Sequence, residues 1–448
     1  MGKMKKNLIV ISMDETRPDR LGCYGYKKAK SSYIDRIAKE GVLFEEAFSS
    51  SNLTPIAHGP MLCGVYPVKT GVRDPYSYLV AKSLPTILKE NGYKTAGAVM
   101  TGLIGKKHGY DQGFDYFVEP TKEDADEVVS YEHTFHAKRK DMLKLKTEDQ
   151  EKAKQKSLEE EEEEFMWGGN WVPNIVNFIR ENKDNNFFVF GHYYKVHVQC
   201  EKWYLKHGFI DPKKDDPFMG YVDRKVELMG ETCFKPIIEV LEELGLYDDT
   251  YIVALSDHGT NYGEHRVDAP PVLDMPYPCH ITMYDVDLKV ALIIRGKGLP
   301  KGRRVKGMVR SVDVVPTILE LLEIKTDNDF DGVSLLNDIG KGESKGKILY
   351  AEEIYPKRGT GTLQAIRTDK YKYIRNNTRL VEGFYDLEND PGEKNNLIMS
   401  LTKEQFAMVQ EWRKQLDDYL KMGKGEVELS DEDKARIEAR LRVLGYVR

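Results

Sequence analysis

Short runs of apolar and often β-branched residues alternate along the chain with segments that carry apolar residues at helical spacing. The runs predict buried strands, and the segments predict amphipathic helices. The predicted strands cover residues 7–13, 42–48, 94–100, 187–193, 250–255 and 289–295. The predicted helices cover residues 32–41, 83–91, 172–182, 221–244 and 312–322. This alternation predicts an α/β fold in which a parallel sheet is covered by helices.

The pattern changes near Gly342, where the sequence becomes rich in Gly and Lys. Beyond that point, strands at 348–354, 363–367 and 371–375 precede helices at 403–421 and 431–444. We therefore predict two domains, one spanning residues 1–342 and a smaller one spanning residues 343–448. A stretch dense in Lys and Glu, residues 121–165, interrupts the first domain and predicts a solvated helical insertion or lid.

The composition narrows the class of protein. Of the 448 residues, 40% are hydrophobic and 31% are charged, which is typical of a globular protein with a soluble surface. The net charge of −6 gives no indication of nucleic-acid binding. The apolar run at 7–13 is too short for a signal peptide or a membrane span, so we expect no membrane association. The five cysteines lack CxxC spacing, as expected for reduced thiols in a cytoplasmic protein.

Acidic residues follow two of the predicted strands. Asp14 and Glu15 come directly after the strand at 7–13, and Asp257 and His258 follow the strand at 250–255. The carboxyl ends of parallel strands face the ligand crevice of an α/β sheet. Grouped carboxylates there repel one another unless a cation offsets their charge, so these side chains are candidate metal ligands. The alternative is two solvated or capped turns.

Several other polar residues are candidates for the same site. Thr54 lies where a loop gives way to a helix predicted from about residue 57, so its hydroxyl is either a helix cap or a metal-activated nucleophile. His192 and His197 follow the strand at 187–193, and one of them could protonate a leaving group or bind its anion. His280 precedes the strand at 289–295 and could reach the same edge of the sheet. A structural role is the alternative for each histidine.

The motifs together resemble the sulfatase family within the alkaline phosphatase superfamily. NLIVISMDETRPDRLGCYG resembles the family's opening metal motif, YIVALSDHGTNYGEH its second metal motif, and FYDLENDPGEKNNL its C-terminal signature. The resemblance runs almost from end to end. It implies a large mixed, mostly parallel sheet between helices, with a smaller C-terminal domain of an antiparallel sheet and a helix. It also implies that Asp14, Glu15, Asp257 and His258 bind a metal ion.

The chain departs from the family at the nucleophile. Sulfatases carry Cys or Ser in a C/S-x-P-x-R pattern and convert it to formylglycine, whereas the alignment places Thr54, Ile56 and His58 at the three fixed positions. Threonine cannot become formylglycine by that route, but its hydroxyl could attack directly, as in phosphodiesterase and phosphonate-cleaving branches of the superfamily. His280 replaces an active-site lysine, and only Lys106 or Lys107 could supply a second one.

We therefore expect a hydrolase of sulfate, phosphate or phosphonate esters that uses one divalent ion, Ca²⁺, Mg²⁺ or Mn²⁺, with Zn²⁺ as an alternative. Thr54 is the expected nucleophile and a ligand of the ion. We expect His58, His192 and His280 to neutralise a small anionic ester substrate, and His197 or His192 to protonate the leaving oxygen. The alternatives are a transferase that passes the group to an alcohol and a catalytically silent metal-binding protein. A homo-oligomer is compatible with the sequence.

Overall fold

The computed structural model describes residues 6–120, 171–194, 219–265, 280–355, 361–377 and 380–422. The predicted insertion at 121–165, the predicted helix at 431–444 and His197 lie outside the described residues.

The described strands form a larger sheet of nine strands and a smaller sheet of four. The larger sheet contains β1 (Asn7–Met13), β2 (Val42–Phe48), β3 (Lys94–Ala98), β4 (Tyr116–Val118), β5 (Phe187–Tyr193), β6 (Thr250–Leu255), β7 (Lys289–Val290), β8 (Leu292–Arg295) and β9 (Arg303–Arg310). The smaller sheet contains β10 (Leu349–Tyr355), β11 (Gly361–Arg367), β12 (Tyr371–Asn376) and β13 (Val381–Asp386).

The helices follow the predicted positions closely. In chain order they are α1 (Ser32–Glu40), α2 (Thr54–Cys63), α3 (Pro67–Thr70), α4 (Leu84–Glu90), α5 (Val172–Glu181), α6 (Met219–Met229), α7 (Lys235–Glu243), α8 (Asp285–Leu288), α9 (Val314–Leu321), α10 (Leu336–Lys341) and α11 (Lys403–Lys421). Short 3₁₀ turns occur at Pro18–Arg20, Gly22–Tyr24, Gly102–Ile104, Lys106–His108, Tyr247–Asp249 and Ser311–Asp313.

The single helix predicted at 221–244 is divided into α6 and α7 by a π-helical turn, Gly230–Phe234. Pro236 stands at the start of α7 and has no backbone N–H to donate to the preceding turn. A wider turn at this point accommodates the missing donor.

The larger sheet is mixed and mostly parallel, as predicted. Its strand order is β4-β3-β5-β1-β6-β8-β2-β7, with β9 paired to β2. β1 lies between β5 and β6 and is parallel to both. It is buried along its whole length, since its residues pack alternately into the two apolar layers on opposite faces of the sheet. A continuous apolar run is what a central parallel strand requires.

The outer part of the larger sheet differs in detail from the prediction. The strand predicted at 289–295 is interrupted at Ala291. The backbone of Ala291 forms hydrogen bonds with Ser256 and does not pair with β2. Its two pieces, β7 and β8, run antiparallel to β2. β9 pairs in parallel with β2 on its other side. β9 was not predicted, because its arginine and lysine residues make the sequence appear polar although its apolar residues are buried.

The smaller sheet is antiparallel throughout, in the order β10-β11-β12-β13, as predicted for the C-terminal part of the chain. α11 covers it with an apolar stripe that includes Val409, Trp412 and Leu416. Thr402 and Gln405 cap the start of α11 reciprocally, which fixes where the helix begins. The domain boundary near residue 342 stays a prediction.

A buried ion pair connects the loop that follows α3 to the smaller sheet. Arg73 holds Glu352 of β10 through two hydrogen bonds of 2.9 and 2.8 Å.

Among the described residues, no helix combines the length and the apolar character needed to cross a bilayer.

Candidate functional site

Three adjacent strands converge on one buried cluster of polar side chains. Asp14 follows β1 directly, Asp257 follows β6 after one residue, and His192 lies within β5 rather than after it. β1 is the neighbour of both β5 and β6, with Ser12 in register with His192 on one side and with Leu255 on the other. The sheet topology therefore brings distant parts of the sequence to the same edge.

Thr54 reaches this cluster from the first residue of α2. The helix begins at Thr54 and not near residue 57 as predicted, because the extended Leu53 and the proline at position 55 suit a helix start. Thr54 Oγ1 lies 3.2 Å from Asp14 Oδ1 and 3.1 Å from His258 Nε2. The residue is 1% exposed, so its hydroxyl must find its partners within the protein.

Around the Thr54 hydroxyl there are more hydrogen-bond acceptor atoms than hydrogens to donate to them. His258 Nδ1 lies 2.8 Å from the carbonyl oxygen of Gly259, which requires the proton on Nδ1 and leaves a lone pair on Nε2. The Thr54 hydroxyl can give its one hydrogen to Asp14 Oδ1 or to His258 Nε2, but not to both. Converging lone pairs at about 3 Å are what a cation's coordination shell presents.

Asp257 completes the group. Its Oδ1 accepts hydrogen bonds from the backbone N–H groups of Glu15 (3.0 Å) and His258 (2.8 Å). Its Oδ2 and Asp14 Oδ2 are buried and have no hydrogen-bond partner among the described residues. The ligating atoms of Asp14, Asp257 and His258 lie within 4.8 Å of one another. Buried carboxylate oxygens without a donor are an arrangement that a bound cation would satisfy.

Glu15 is placed beside this group in an uncommon backbone conformation. Its φ of 52° lies in the left-handed region, which is costly for a residue with a side chain, and such strain occurs often at functional sites. The conformation directs the Glu15 N–H to Asp257. The Glu15 side chain is buried, but its carboxylate does not belong to the three-residue group defined above.

The histidines differ in how they meet the cluster. His192 Nε2 lies 3.4 Å from Asp14 Oδ1, and His58 Nδ1 lies 3.8 Å from Asp257 Oδ2. The ring of His280 lies tilted by 31° against that of His258, with the ring centres 4.4 Å apart, and its Nδ1 lies 2.7 Å from the carbonyl oxygen of Asn52. These three histidines, which were predicted to bind the substrate's anion, therefore all lie at the cluster.

Burial and mutual repulsion shift the ionisation of the cluster. Burial raises the pKa of Asp14 well above its usual range, and the charges of Asp257 and Glu15 raise it further. Burial acts the same way on Asp257, but the charges of the neighbouring histidines, when these are protonated, and the hydrogen bonds from backbone N–H groups outweigh it and hold the pKa of Asp257 below its usual range. Burial lowers the pKa of His58 and His192, so both imidazoles are neutral at pH 7.

The proposed lysines are not part of the cluster. Lys106 and Lys107 lie in a 3₁₀ turn and are exposed to solvent, whereas the cluster is buried. Neither side chain therefore occupies the place of a buried active-site lysine.

Two polar residues that sequence reasoning missed also contact the cluster. Ser12 of β1 lies with its Oγ 2.9 Å from His58 Nε2. Asn52 binds the backbone of Thr282 through its amide N–H, and its Oδ1 is buried without a hydrogen-bond partner. Ser12 could have been noticed in the sequence as a polar residue near the end of a mostly apolar strand.

A narrow recess lies beside Glu15, with an enclosed volume of about 10 Å³, enough for one water molecule. Three cationic side chains line it, those of Arg17, Arg20 and Lys225. Arg17 and Arg20 also lie over the ring of Tyr262, at 4.7 and 5.4 Å from its centre. Of these cationic side chains, Arg17 is paired with Asp19 and Glu264, each at 2.7 Å.

Comparison with protein families agrees with this architecture. The family model described as Sulfatase matches residues 6–324, and a second model, described as N-sulphoglucosamine sulphohydrolase, C-terminal, matches residues 280–421.

Curated relatives align over most of the chain. An ulvan-active sulfatase of Formosa agariphila is 25% identical over 96% of this chain and 83% of its own length. An arylsulfatase of Clostridium perfringens is 23% identical over 89% of this chain and 91% of its own length.

Among solved structures, the phosphonate monoester hydrolase of Agrobacterium radiobacter matches with a TM-score of 0.67 and 18% identity. The alignment covers 95% of this chain and all of that one. At this identity the match demonstrates a shared fold.

Proposed function

Because the chain belongs to the sulfatase family of ester hydrolases, we propose that it is a metal-dependent hydrolase whose nucleophile is the Thr54 hydroxyl. The observation that carries the proposal is the convergence of Thr54 Oγ1, Asp14 Oδ1 and His258 Nε2 at 3.1–3.2 Å inside a buried group of carboxylates. Helix capping does not explain this contact, because the cap position is Leu53 and the Thr54 side chain contacts Asp14 and His258, which follow β1 and β6.

The residues present fit a divalent cation. Asp14, Asp257 and His258 would hold it together with Thr54, and Glu15 stands next to them as a further candidate ligand. The donor set is mostly oxygen with one imidazole, which suits Mn²⁺, Mg²⁺, Ca²⁺ or Zn²⁺. When bound, the cation stabilises negative charge on the reacting group and favours the deprotonated form of the Thr54 hydroxyl.

The protein's own groups account for the remaining steps. Thr54 Oγ1 attacks phosphorus or sulfur and gives its proton to Asp14 Oδ1, an acceptor that lies 3.2 Å away. The alcohol departs as its bond to phosphorus or sulfur breaks, and His280 at the cluster supplies its proton, because burial keeps His192, a predicted donor, neutral at pH 7. His197 remains a second candidate for this acid. Water then hydrolyses the Thr54 ester, which restores the hydroxyl.

The substrate class follows from the nucleophile. A direct threonine ester of phosphate or phosphonate can be hydrolysed with metal assistance, whereas a sulfate ester of threonine lacks the elimination route that formylglycine provides. We therefore propose phosphate or phosphonate esters as the substrates. Sulfate esters are the second candidate, because two curated relatives are named as an ulvan-active sulfatase and an arylsulfatase.

The test is a matched pair of variants, Thr54→Val and Thr54→Ser. Valine keeps the shape of threonine and removes the hydroxyl, and serine keeps the hydroxyl. We expect Thr54→Val to lose at least ~10³-fold in kcat/KM, because the whole covalent route is lost, and Thr54→Ser to retain measurable turnover.

Both variants and the wild type are assayed on aryl phosphates, phosphodiesters, phosphonates and sulfates, with and without added divalent cations. Equal turnover by Thr54→Val and the wild type would refute the nucleophile assignment. Transfer to an added acceptor alcohol instead of water would identify a transferase, and a metal-binding protein inactive on all four classes would be a silent relative.

A further inference from the structure

The backbone of the proposed nucleophile is held by side-chain donors. His58 Nδ1 lies 2.8 Å from the Thr54 carbonyl oxygen, and the Tyr110 hydroxyl donates a hydrogen bond to the carbonyl oxygen of Pro55. All four residues are buried. Two successive carbonyl groups at the start of α2 are therefore fixed by side chains in addition to the hydrogen bonds of the helix.

The sequence of α2 explains why such support is needed. Pro60 lies inside the helix and has no N–H, so it cannot donate the helical hydrogen bond to the carbonyl oxygen of Ile56. Gly59 beside it lowers the helix propensity further. The first turn of α2, which carries Thr54, is therefore weakly held by the backbone of its own helix.

Only one arrangement of hydrogens satisfies the neutral ring of His58. A carbonyl oxygen accepts and does not donate, so Nδ1 must carry the proton for Thr54. Asp257 Oδ2, at 3.8 Å from Nδ1, is too far away to compete for it. The complete burial of the ring favours its neutral form, which leaves a lone pair on Nε2. Ser12 Oγ lies 2.9 Å from Nε2 and must therefore be the donor of that hydrogen bond.

This arrangement leaves His58 without an N–H for the substrate. The histidine was predicted to neutralise the substrate's anion, but its Nδ1 proton is bound to a carbonyl group and its Nε2 accepts from a hydroxyl. The rings of Phe190 and His192 meet it edge to face, with centres 5.9 and 4.9 Å away, and fix its plane. The arginine that the family pattern carries at this position has no acceptor atom and could not form the same contacts.

We propose that Ser12 and His58 are positioning residues, which hold the start of α2 so that the Thr54 hydroxyl faces Asp14. The inference rests on the proposed function, because it concerns Thr54 as the nucleophile. Oγ1 is separated from the Thr54 backbone by a single rotatable bond, so a shift of the backbone displaces it directly. A misplacement of about 1 Å at a reacting group can cost about 100-fold in rate.

The first test compares His58→Leu with His58→Asn in the full-length chain, on the ester class that the wild type hydrolyses. Asparagine keeps an N–H donor for the carbonyl group four residues earlier, a contact that Asn91 and Asn182 make at 2.9 Å in this protein, and leucine removes it. We expect kcat to fall ~10- to 100-fold in His58→Leu with little change in KM, and His58→Asn to recover most of the loss.

The second pair tests the serine. Ser12→Ala should lower kcat by ~10-fold with little change in KM, and Ser12→Thr, which keeps the hydroxyl, should lose less. The matched control is Ser344→Ala, which removes an equally buried hydroxyl that binds the Met308 carbonyl oxygen and should leave kcat unchanged. A rise in KM at constant kcat in His58→Leu would instead identify a substrate-binding histidine and overturn the proposal, as would wild-type kcat in Ser12→Ala.

Nitrogen-15 NMR of histidine-labelled protein gives a readout that needs no substrate. We expect a neutral His58 ring with its proton on Nδ1, and we expect its Nε2 resonance to shift in Ser12→Ala, which also assigns it if His58→Asn does not fold. A proton on Nε2 would overturn the inference and leave the proposed function standing. Full turnover by Thr54→Val would overturn the proposed function even if His58 has the expected tautomer.

Discussion

Replacing Asp14 by Asn should change the stability of the protein in opposite directions with and without a cation. The ligating oxygens of Asp14 and Asp257 are buried within 4.8 Å of each other. At an effective dielectric constant of about 20, two negative charges at that separation repel by about 3.5 kcal/mol. The raised pKa of Asp14 already relieves part of this repulsion by protonation. We therefore expect the variant to be more stable than the wild type by about 1–2 kcal/mol in chelator at pH 8.

Saturation with a cation should reverse the order. A cation present at 100 times its dissociation constant stabilises the wild type by about 2.7 kcal/mol. The Asp14→Asn variant lacks one anionic ligand and should gain little from the same concentration. The cation-dependent shift in Tm should therefore be large in the wild type and small in the variant.

The pH dependence in chelator has a defined sign. The pKa of Asp14 is raised in the folded protein, so between the unfolded value and the folded value the folded state binds more protons than the unfolded state. The contribution of Asp14 is complete below its unfolded pKa and is lost as the pH rises through its folded pKa. The wild type should lose stability over that interval relative to Asp14→Asn.

Thermal unfolding in chelator and in Mn²⁺ or Zn²⁺, from pH 5 to pH 8, measures all three effects. Asp313→Asn is the matched control, because Asp313 is equally buried but is held by Arg310 at 2.7 Å. Removing its charge should destabilise the protein by about 3 kcal/mol or more with or without a cation. If Asp14→Asn behaves like Asp313→Asn in chelator, the repulsion that we infer at the metal site does not exist.

Two further predictions concern the scaffold. Gly191→Ala should destabilise the protein by about 1–3 kcal/mol in chemical denaturation, because the added Cβ would lie 2.2 Å from the Trp171 ring, beside His192. The control is Gly340→Ala, whose added Cβ meets nothing within 4 Å. This variant should be neutral or stabilising in the same assay. Glu352→Gln should cost about 3 kcal/mol, because it removes the carboxylate that pairs with the buried Arg73. The control is Glu343→Gln, which breaks a surface pair with Lys345 whose side chains are 50% and 73% exposed, and it should cost less than about 1 kcal/mol. Equal losses of Tm in Glu352→Gln and Glu343→Gln would contradict the argument from burial.

The central strands could be predicted because they are buried on both faces and therefore read as continuous apolar runs. The order of those strands could not, since pairing between β1, β5 and β6 depends on contacts between residues about 180 to 240 positions apart. β9 and β13 were missed because charged or polar residues alternate with their apolar ones, and such strands resemble surface loops in sequence.

The residues of the candidate site were likewise predictable only in part. The carboxylates of Asp14 and Asp257 could be proposed from sequence, because each lies within two residues of the end of an apolar strand. The contact between Ser12 and His58 could not, because it joins a strand and a helix at positions that have no local relationship. The assignment of metal ligands stays a prediction until an ion is observed.

The complete burial of α2 limits how this protein could be re-engineered. All ten of its residues, Thr54 to Cys63, are inaccessible to solvent. Randomised libraries targeted to the positions that flank the nucleophile would therefore yield mostly misfolded clones, since each replacement must first satisfy close-packed neighbours. Diversification of substrate scope should begin at the rim of the recess lined by Arg20, Lys225 and Tyr262, where Val222 of α6 offers a smaller side chain to vary.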